Sequence, residues 1–179
     1  MKSRPGRSGR KAIAVGAPDP EAFAARALGF GTLAADSSSL IVLAAAGAAT
    51  AAASLWRLAA VPAVRAEIGG LADRLALAPL VAPAASGPGA AGADRDVVAA
   101  AERENLPVLA EDMKVLRAAE DAGLDAFDGL VAVEVLAARG ALNWAEAEAV
   151  RLRLRSMADY PPRRLSWAAA VAAALAKLA

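Results

Sequence analysis

The sequence predicts an α/β fold, a three-layer α/β/α arrangement around a short-stranded parallel sheet. Three observations predict it. Short apolar runs alternate with longer helix-like segments over most of the chain, the pattern of strands joined by helical crossovers. The apolar runs are continuous rather than alternating with polar residues, as expected of strands covered on both faces. Finally, aromatics are only 4% of a chain that is 58% hydrophobic and holds 54 alanines, so the core must be built from small aliphatic side chains that suit closely packed helices. At 179 residues with no internal repeat, one domain is expected.

Residues 1–30 read as a basic, flexible N-terminal extension, within which Pro20–Leu28 has the pattern of a short helix stopped by Gly29. The domain proper is placed at residues 31–179. A strand at Thr32–Ala35 leads into a helix at Ser37–Ala46 that stops at Gly47. A second helix is expected over Thr50–Leu58, and Val61-Pro62 opens a further helical segment with proline at a favoured first position. Leu77–Val81 reads as a short strand or a helix end, and Ala82–Ala93, rich in Ala, Gly, Pro and Ser, as a loop. Asp94 starts a helix to Glu104 with Val97, Val98 and Ala101 on one face. An apolar strand follows at Leu106–Ala110, and Asp112 opens a helix through Ala122. Gly123–Phe127 is the last expected strand, before helices at Leu130–Arg139, Trp144–Met157 and Arg164–Leu178.

Composition excludes much chemistry. There is no cysteine and no histidine, so disulfides, thiolate nucleophiles, Ser–His or Cys–His pairs and imidazole or thiolate metal sites are all ruled out. Catalysis by this chain must use carboxylates, hydroxyls, Lys, Arg or Tyr. Net charge is +1, unevenly spread: residues 1–11 carry five bases and no acid, and the rest has fifteen bases against nineteen acids. The basic start suits an anionic partner or simple solubility. Ser37–Trp56 lacks charge, but Ala, Ser, Thr and Gly dominate it and Gly47 and Thr50 break it, so two packed helices are expected rather than a membrane span. Asp19, Glu21 and Arg26 interrupt any apolar region behind the basic start, against a signal peptide, and a cytoplasmic location is expected.

The chemistry centres on four acids. Asp36 and Asp112 each follow an apolar strand and precede a helix, which parallel strands bring to one edge of the sheet. Asp94 opens the helix before the second of these strands, and Glu67 lies on the segment that Val61-Pro62 begins. Each also has a plain reading: Asp36 as a helix cap, Glu67 as a solvated helix residue. Converging carboxylates repel, and each raises the proton affinity of the others. With Mg²⁺ or Mn²⁺ the same cluster is a fitting site, since hard cations take oxygen ligands, and such ions activate water against a phosphodiester without histidine. Ser37 or Ser38 would hold a water or phosphate there, or merely cap the helix. Lys114, Arg95 and Arg65 lie near these motifs, as RNA phosphate contacts or ordinary solvated charges. Residues 151–179 carry six bases against Asp159 alone, a basic surface for nucleic acid or an acidic partner, or arginines that only decorate a helix. The low aromatic count argues against capture of single-stranded bases by stacking.

These stretches resemble the PIN-domain ribonucleases, from Thr32 to about Tyr160. Asp36-Ser-Ser-Ser-Leu-Ile is similar to the family's first motif, and Val61-Pro-Ala-Val-Arg-Ala-Glu67-Ile to the second. Ala93-Asp94-Arg-Asp96-Val-Val-Ala-Ala-Ala101 resembles the third and Leu106-Pro-Val-Leu-Ala-Glu-Asp112 the fourth. Ala119–Leu124 and Val135–Leu142 are similar to the closing region of the toxin-like bacterial branch. The resemblance implies a metal-dependent endoribonuclease using Mg²⁺ or Mn²⁺ held by Asp36, Glu67, Asp94 and Asp112. It further implies the toxin of a toxin–antitoxin pair, with RNA as substrate, an antitoxin protein as partner and a homodimeric assembly. Asp96 and Ser38 are alternative ligands; the spacing back from Leu106-Pro107 favours Asp94 over Asp96, and strand alternation should turn Glu111 away from Asp112.

Two phosphoryl-aspartate patterns fit less well. The haloacid type needs a second aspartate where Ser38 stands, and a response-regulator receiver needs an acidic pair and a late lysine that are not evident. The alternative of a different class is a non-catalytic PIN-like module that binds protein or RNA.

Overall fold

The computed structural model describes residues 19–81 and 92–178. In chain order the helices are α1 (Pro20–Ala27), α2 (Ser37–Ala46), α3 (Ala49–Leu55), α4 (Pro62–Ile68), α5 (Gly70–Arg74), α6 (Ala93–Glu104), α7 (Met113–Asp121), α8 (Gly129–Ala138), α9 (Trp144–Met157) and α10 (Pro162–Leu178). The strands are β1 (Thr32–Ala35), β2 (Arg57–Ala60), β3 (Ala78–Pro79), β4 (Val108–Leu109) and β5 (Ala126–Phe127). All five lie in one parallel sheet in the order β3-β2-β1-β4-β5. Helices α6 and α7 pack together on the sheet, and α2 associates with α3, α4, α8 and α9 in the other helical layer. The α/β/α architecture is therefore as the alternation of segments predicts.

The strands are short because few residues of each are fully enclosed, yet those are buried outright: Leu33, Ala34 and Ala35 of β1 and Val108 and Leu109 of β4 have no accessible surface. Continuous burial on both faces explains the absence of a period-two pattern. The chain leaves β1 in one direction, through β2 to β3, and in the other from β4 to β5. The reversal between β1 and β4 is the topological switch point, where the loops at the carboxyl ends of neighbouring strands part and leave a crevice. In this sheet Ala35 pairs with Leu109 at that point.

Three strands hand over to helices through an aspartate. Asp36, Asp112 and Asp128 are the N-caps of α2, α7 and α8, and each accepts a backbone N–H of the helix it starts. Gly47 ends α2 in the left-handed conformation, φ 81°, and the chain bends by 116° into α3. The uncharged stretch is thus two packed helices, and among the described residues no single helix is long and apolar enough to cross a membrane.

Two expectations are corrected. The helix expected over Thr50–Leu58 ends at Leu55, and Arg57–Ala60 is β2, paired in register with β1. Its Arg-Leu-Ala-Ala sequence has no β-branched or aromatic residue, so nothing local marks it as a strand. The extension also begins to fold earlier than residue 31. In α1, Phe23, Ala24 and Ala27 are wholly buried, the helix packs on α10, and Arg26 makes a two-pronged ion pair with Asp125 at 2.7 and 2.9 Å. The folded body therefore includes residues 19–30. The expected flexible basic segment at residues 1–18 lies outside the described residues, as does the expected loop over residues 82–91.

Candidate active site

Asp36 sits at the switch point, 2% exposed. Its Oδ1 accepts the Ser39 N–H at 2.7 Å, and its Oδ2 accepts the Ser38 hydroxyl at 2.7 Å and the Glu111 N–H at 3.3 Å. A carboxylate offers about four acceptor positions, so these donors hold the group as an acceptor while leaving room for one more partner. The Ser39 hydroxyl, fully buried, donates to the carbonyls of Asp36 and Leu109, both at 3.1 Å, and so ties the ends of β1 and β4 together. Ser38 is thus a partner of the Asp36 carboxylate, and the cap and the site are built from the same atoms.

Ser37 faces the other way along the crevice. Its hydroxyl donates to Glu67 Oε2 at 2.5 Å, which brings the α4 glutamate alongside the start of α2. Asp112 Oδ1 accepts the Lys114 N–H at 2.6 Å at the head of α7. Asp94, in the first turn of α6, completes the group. Its proton affinity is raised above that of an ordinary aspartate, first by partial loss of water and then by the negative charges of Asp112, Asp36 and Glu67; Lys114 acts in the opposite sense. Four carboxylates from four separate elements therefore share one electrostatic space. Asp96 is two residues along the same helix, and residues two apart on a helix do not face the same way.

The four are neighbours without being closed up. Among the described residues no three His, Cys, Asp or Glu side chains are gathered tightly enough to hold a metal ion. The donor chemistry nevertheless fits Mg²⁺ or Mn²⁺, because every group is a hard oxygen and Mg²⁺ binds through one or two carboxylates while keeping several waters. The neighbouring acids add to the effect of burial in raising the proton affinity of Asp94, the direction that a cation would offset.

A second carboxylate group, beside the first, escaped the sequence reading. Glu111 turns away from Asp112, as strand alternation predicts, and its Oε1 accepts the Gly129 N–H at 2.8 Å. Arg164 of α10 reaches in to bond Asp128 Oδ2 at 2.6 Å, Glu111 Oε2 at 3.1 Å and the Glu111 carbonyl at 3.1 Å. Its guanidinium lies 4.9 Å from the centre of the Tyr160 ring. The Tyr160 hydroxyl is buried beside Glu111, outside regular hydrogen-bond geometry. Burial, and then the Asp128 charge, raises the proton affinity of Glu111, while the Gly129 N–H and Arg164 oppose the rise. Burial likewise pushes the Tyr160 phenol well above its ordinary range. Asp128 was legible, since Ala126-Phe127-Asp128-Gly129 repeats the strand–aspartate–helix pattern of Asp36 and Asp112.

Four of the six bases over residues 151–179 have partners within the fold. Arg151 pairs with Glu134 at 2.6 Å and with Glu148, and Arg153 bonds the Ala46 carbonyl at 2.6 Å. Lys177 pairs with Glu21, and Arg164 is committed as described. Arg65 donates to the Leu77 carbonyl at 2.5 Å, a clip between α4 and the approach to β3. The charge of Lys114 acts on Asp94 and lowers its proton affinity. Comparison with protein-family models, curated proteins and solved structures finds no match to this chain.

Proposed function

We propose that the chain is a metal-dependent endoribonuclease of the PIN-domain kind, hydrolysing RNA phosphodiester bonds at the crevice lined by Asp36, Glu67, Asp94 and Asp112. The observation that carries this reading is the convergence on Asp94 of three other acidic charges from β1, α4 and α7, at the carboxyl edge of a parallel sheet. Keeping such repulsion in a fold that could do without it calls for a cation.

Asp36, fixed by three donors, and Glu67, held by Ser37, are the best-oriented ligands, and Asp94 and Asp112 complete the negative site. When bound, Mg²⁺ or Mn²⁺ supplies water activation and neutralises charge on the phosphate. The chain's own part is to orient: Ser38 and the Glu111 N–H keep Asp36 in place, and Lys114 offers a cation to a phosphate oxygen. The same reading carries an antitoxin protein as partner, a homodimeric assembly and a cytoplasmic setting.

The open spacing of the acids favours a second reading, a non-catalytic module that binds protein or RNA. Incubation with structured and single-stranded RNAs, with Mn²⁺, with Mg²⁺ and with chelator, separates the two. The ribonuclease reading expects cleavage that requires the metal and falls at least about 100-fold in Asp36→Asn, the scale on which single electrostatic catalytic groups act. Cleavage that survives in Asp36→Asn, or none on any RNA, favours the module.

A further inference from the structure

A cavity of about 310 Å³ opens where α7 and α10 diverge at the end of β5. Met113 of its wall follows Asp112 in sequence, and Arg164, which also lines it, bonds Glu111, whose N–H reaches Asp36 of the candidate site. Its walls are apolar: Met113, Leu116, Phe127 and Trp167. Trp167 is half-buried, and its ring meets Phe23 at 5.0 Å. Arg117 and Arg163, both exposed, stand on the rim.

Arg164 and Asp128 are committed to one another at 2.6 Å. Arg163 and Arg117 both act on Glu120, whose proton affinity is raised first by burial and also by Asp121, and lowered by each arginine. Of the lining charges outside the Arg164–Asp128 pair, two are guanidinium groups and one, Glu120, is a carboxylate. The result is a cavity with apolar walls and two exposed arginines at its rim.

We propose that this cavity is a nucleotide subsite of the same active site, taking one base of the RNA strand against Trp167, Leu116 and Met113 and the adjoining phosphate on Arg163 and Arg117. The inference rests on the ribonuclease reading for its substrate class. The volume lies at the lower end of the 300–1,000 Å³ range of ligand pockets, so it selects a single nucleotide rather than a longer segment. One aromatic wall suffices, because base stacking on a side chain needs a face, not a cluster, and a chain so poor in aromatics places one of its three tryptophans here. The two rim arginines supply the bidentate phosphate contacts at which arginine is best.

The test uses the full chain carrying Trp144→Phe, which removes the 75% exposed indole and leaves Trp167 as the reporter beside the buried Trp56. The four nucleoside 5′-monophosphates are titrated in chelator, so that no metal site contributes, and tryptophan fluorescence is read. Saturable quenching is expected, weakened about tenfold by Arg163→Ala, an exposed position whose change leaves the fold intact by melting temperature. In RNA cleavage the same variant should raise KM and leave kcat nearly unchanged. No saturable quenching by any of the four overturns the proposal, as does quenching that Arg163→Ala and Arg117→Ala both leave unchanged. Arginine-dependent nucleotide binding in a protein that cleaves no RNA upholds the subsite and removes only the ribonuclease reading.

Discussion

Asp94 is where the electrostatic strain of the site is concentrated, and its protonation reports it. The folded state raises its proton affinity, so in the window from the ordinary aspartate range up to the raised value the folded protein binds more protons than the unfolded chain. Stability from this group is then present at low pH and lost as pH rises through that window. In chelator, Asp94→Asn should flatten the fall in melting temperature as pH rises above the ordinary aspartate range, relative to wild type; an unchanged pH slope would mean that neither burial nor the neighbouring acids raise the proton affinity of Asp94. Gly129 makes a different single-residue prediction. A Cβ there would lie 2.7 Å from Glu111 Oε1, a carboxylate already held by Arg164. Gly129→Ala should therefore cost about 1–3 kcal/mol, read from the midpoint of urea unfolding. The strand–aspartate–helix pattern made Asp36 and Asp112 legible because a cap and a sheet-edge carboxylate need the same residue in the same place. Asp128 carries that pattern equally. Its partner Arg164 is 36 residues away, and no local spacing announces such a pairing.

Among the elements, α10 does more than cover the core. Through Arg164 it clamps the Glu111 carbonyl, and the N–H of that same residue reaches Asp36. Arg164, Glu111 and Asp128 are 13%, 11% and 3% exposed at their side chains, so the cluster is buried enough for loss of one partner to strand the others. Arg164→Ala should cost about 3–5 kcal/mol in denaturant unfolding, the usual penalty for breaking a buried ion pair. Arg164→Lys should recover little, since a single ammonium cannot span three acceptors as the planar fork does. Full stability in either variant would show that α10 is held by its apolar stripe alone. Strand β2 is the element that local reasoning misread. Arg57-Leu-Ala-Ala60 is a strand because β1 and β3 flank it, a tertiary fact. The following Val61-Pro62 was a usable sign, since the residue before proline is pushed towards extended backbone.

At the scale of the whole molecule, alternation of short buried runs with helices was enough to predict the architecture, because a parallel sheet demands both faces covered and a helix in each crossover. The order β3-β2-β1-β4-β5 was not legible in any segment, and it is the order that puts the switch point at Asp36. In the basic C-terminal region a sequence counts charges but not their partners: Arg151, Arg153, Arg164 and Lys177 have partners within the fold, while Arg163 stands exposed. What unites the molecule functionally is the claim that its four acids form one cation site. Melting temperature with and without Mn²⁺, in wild type and in Asp36→Asn, tests that claim most directly. At a metal concentration about 100 times the dissociation constant the wild type should gain about 2.7 kcal/mol, a rise of roughly 5–11 °C for a domain of this size, and Asp36→Asn should lose most of it. An equal rise in both proteins, or none in the wild type, would contradict the account.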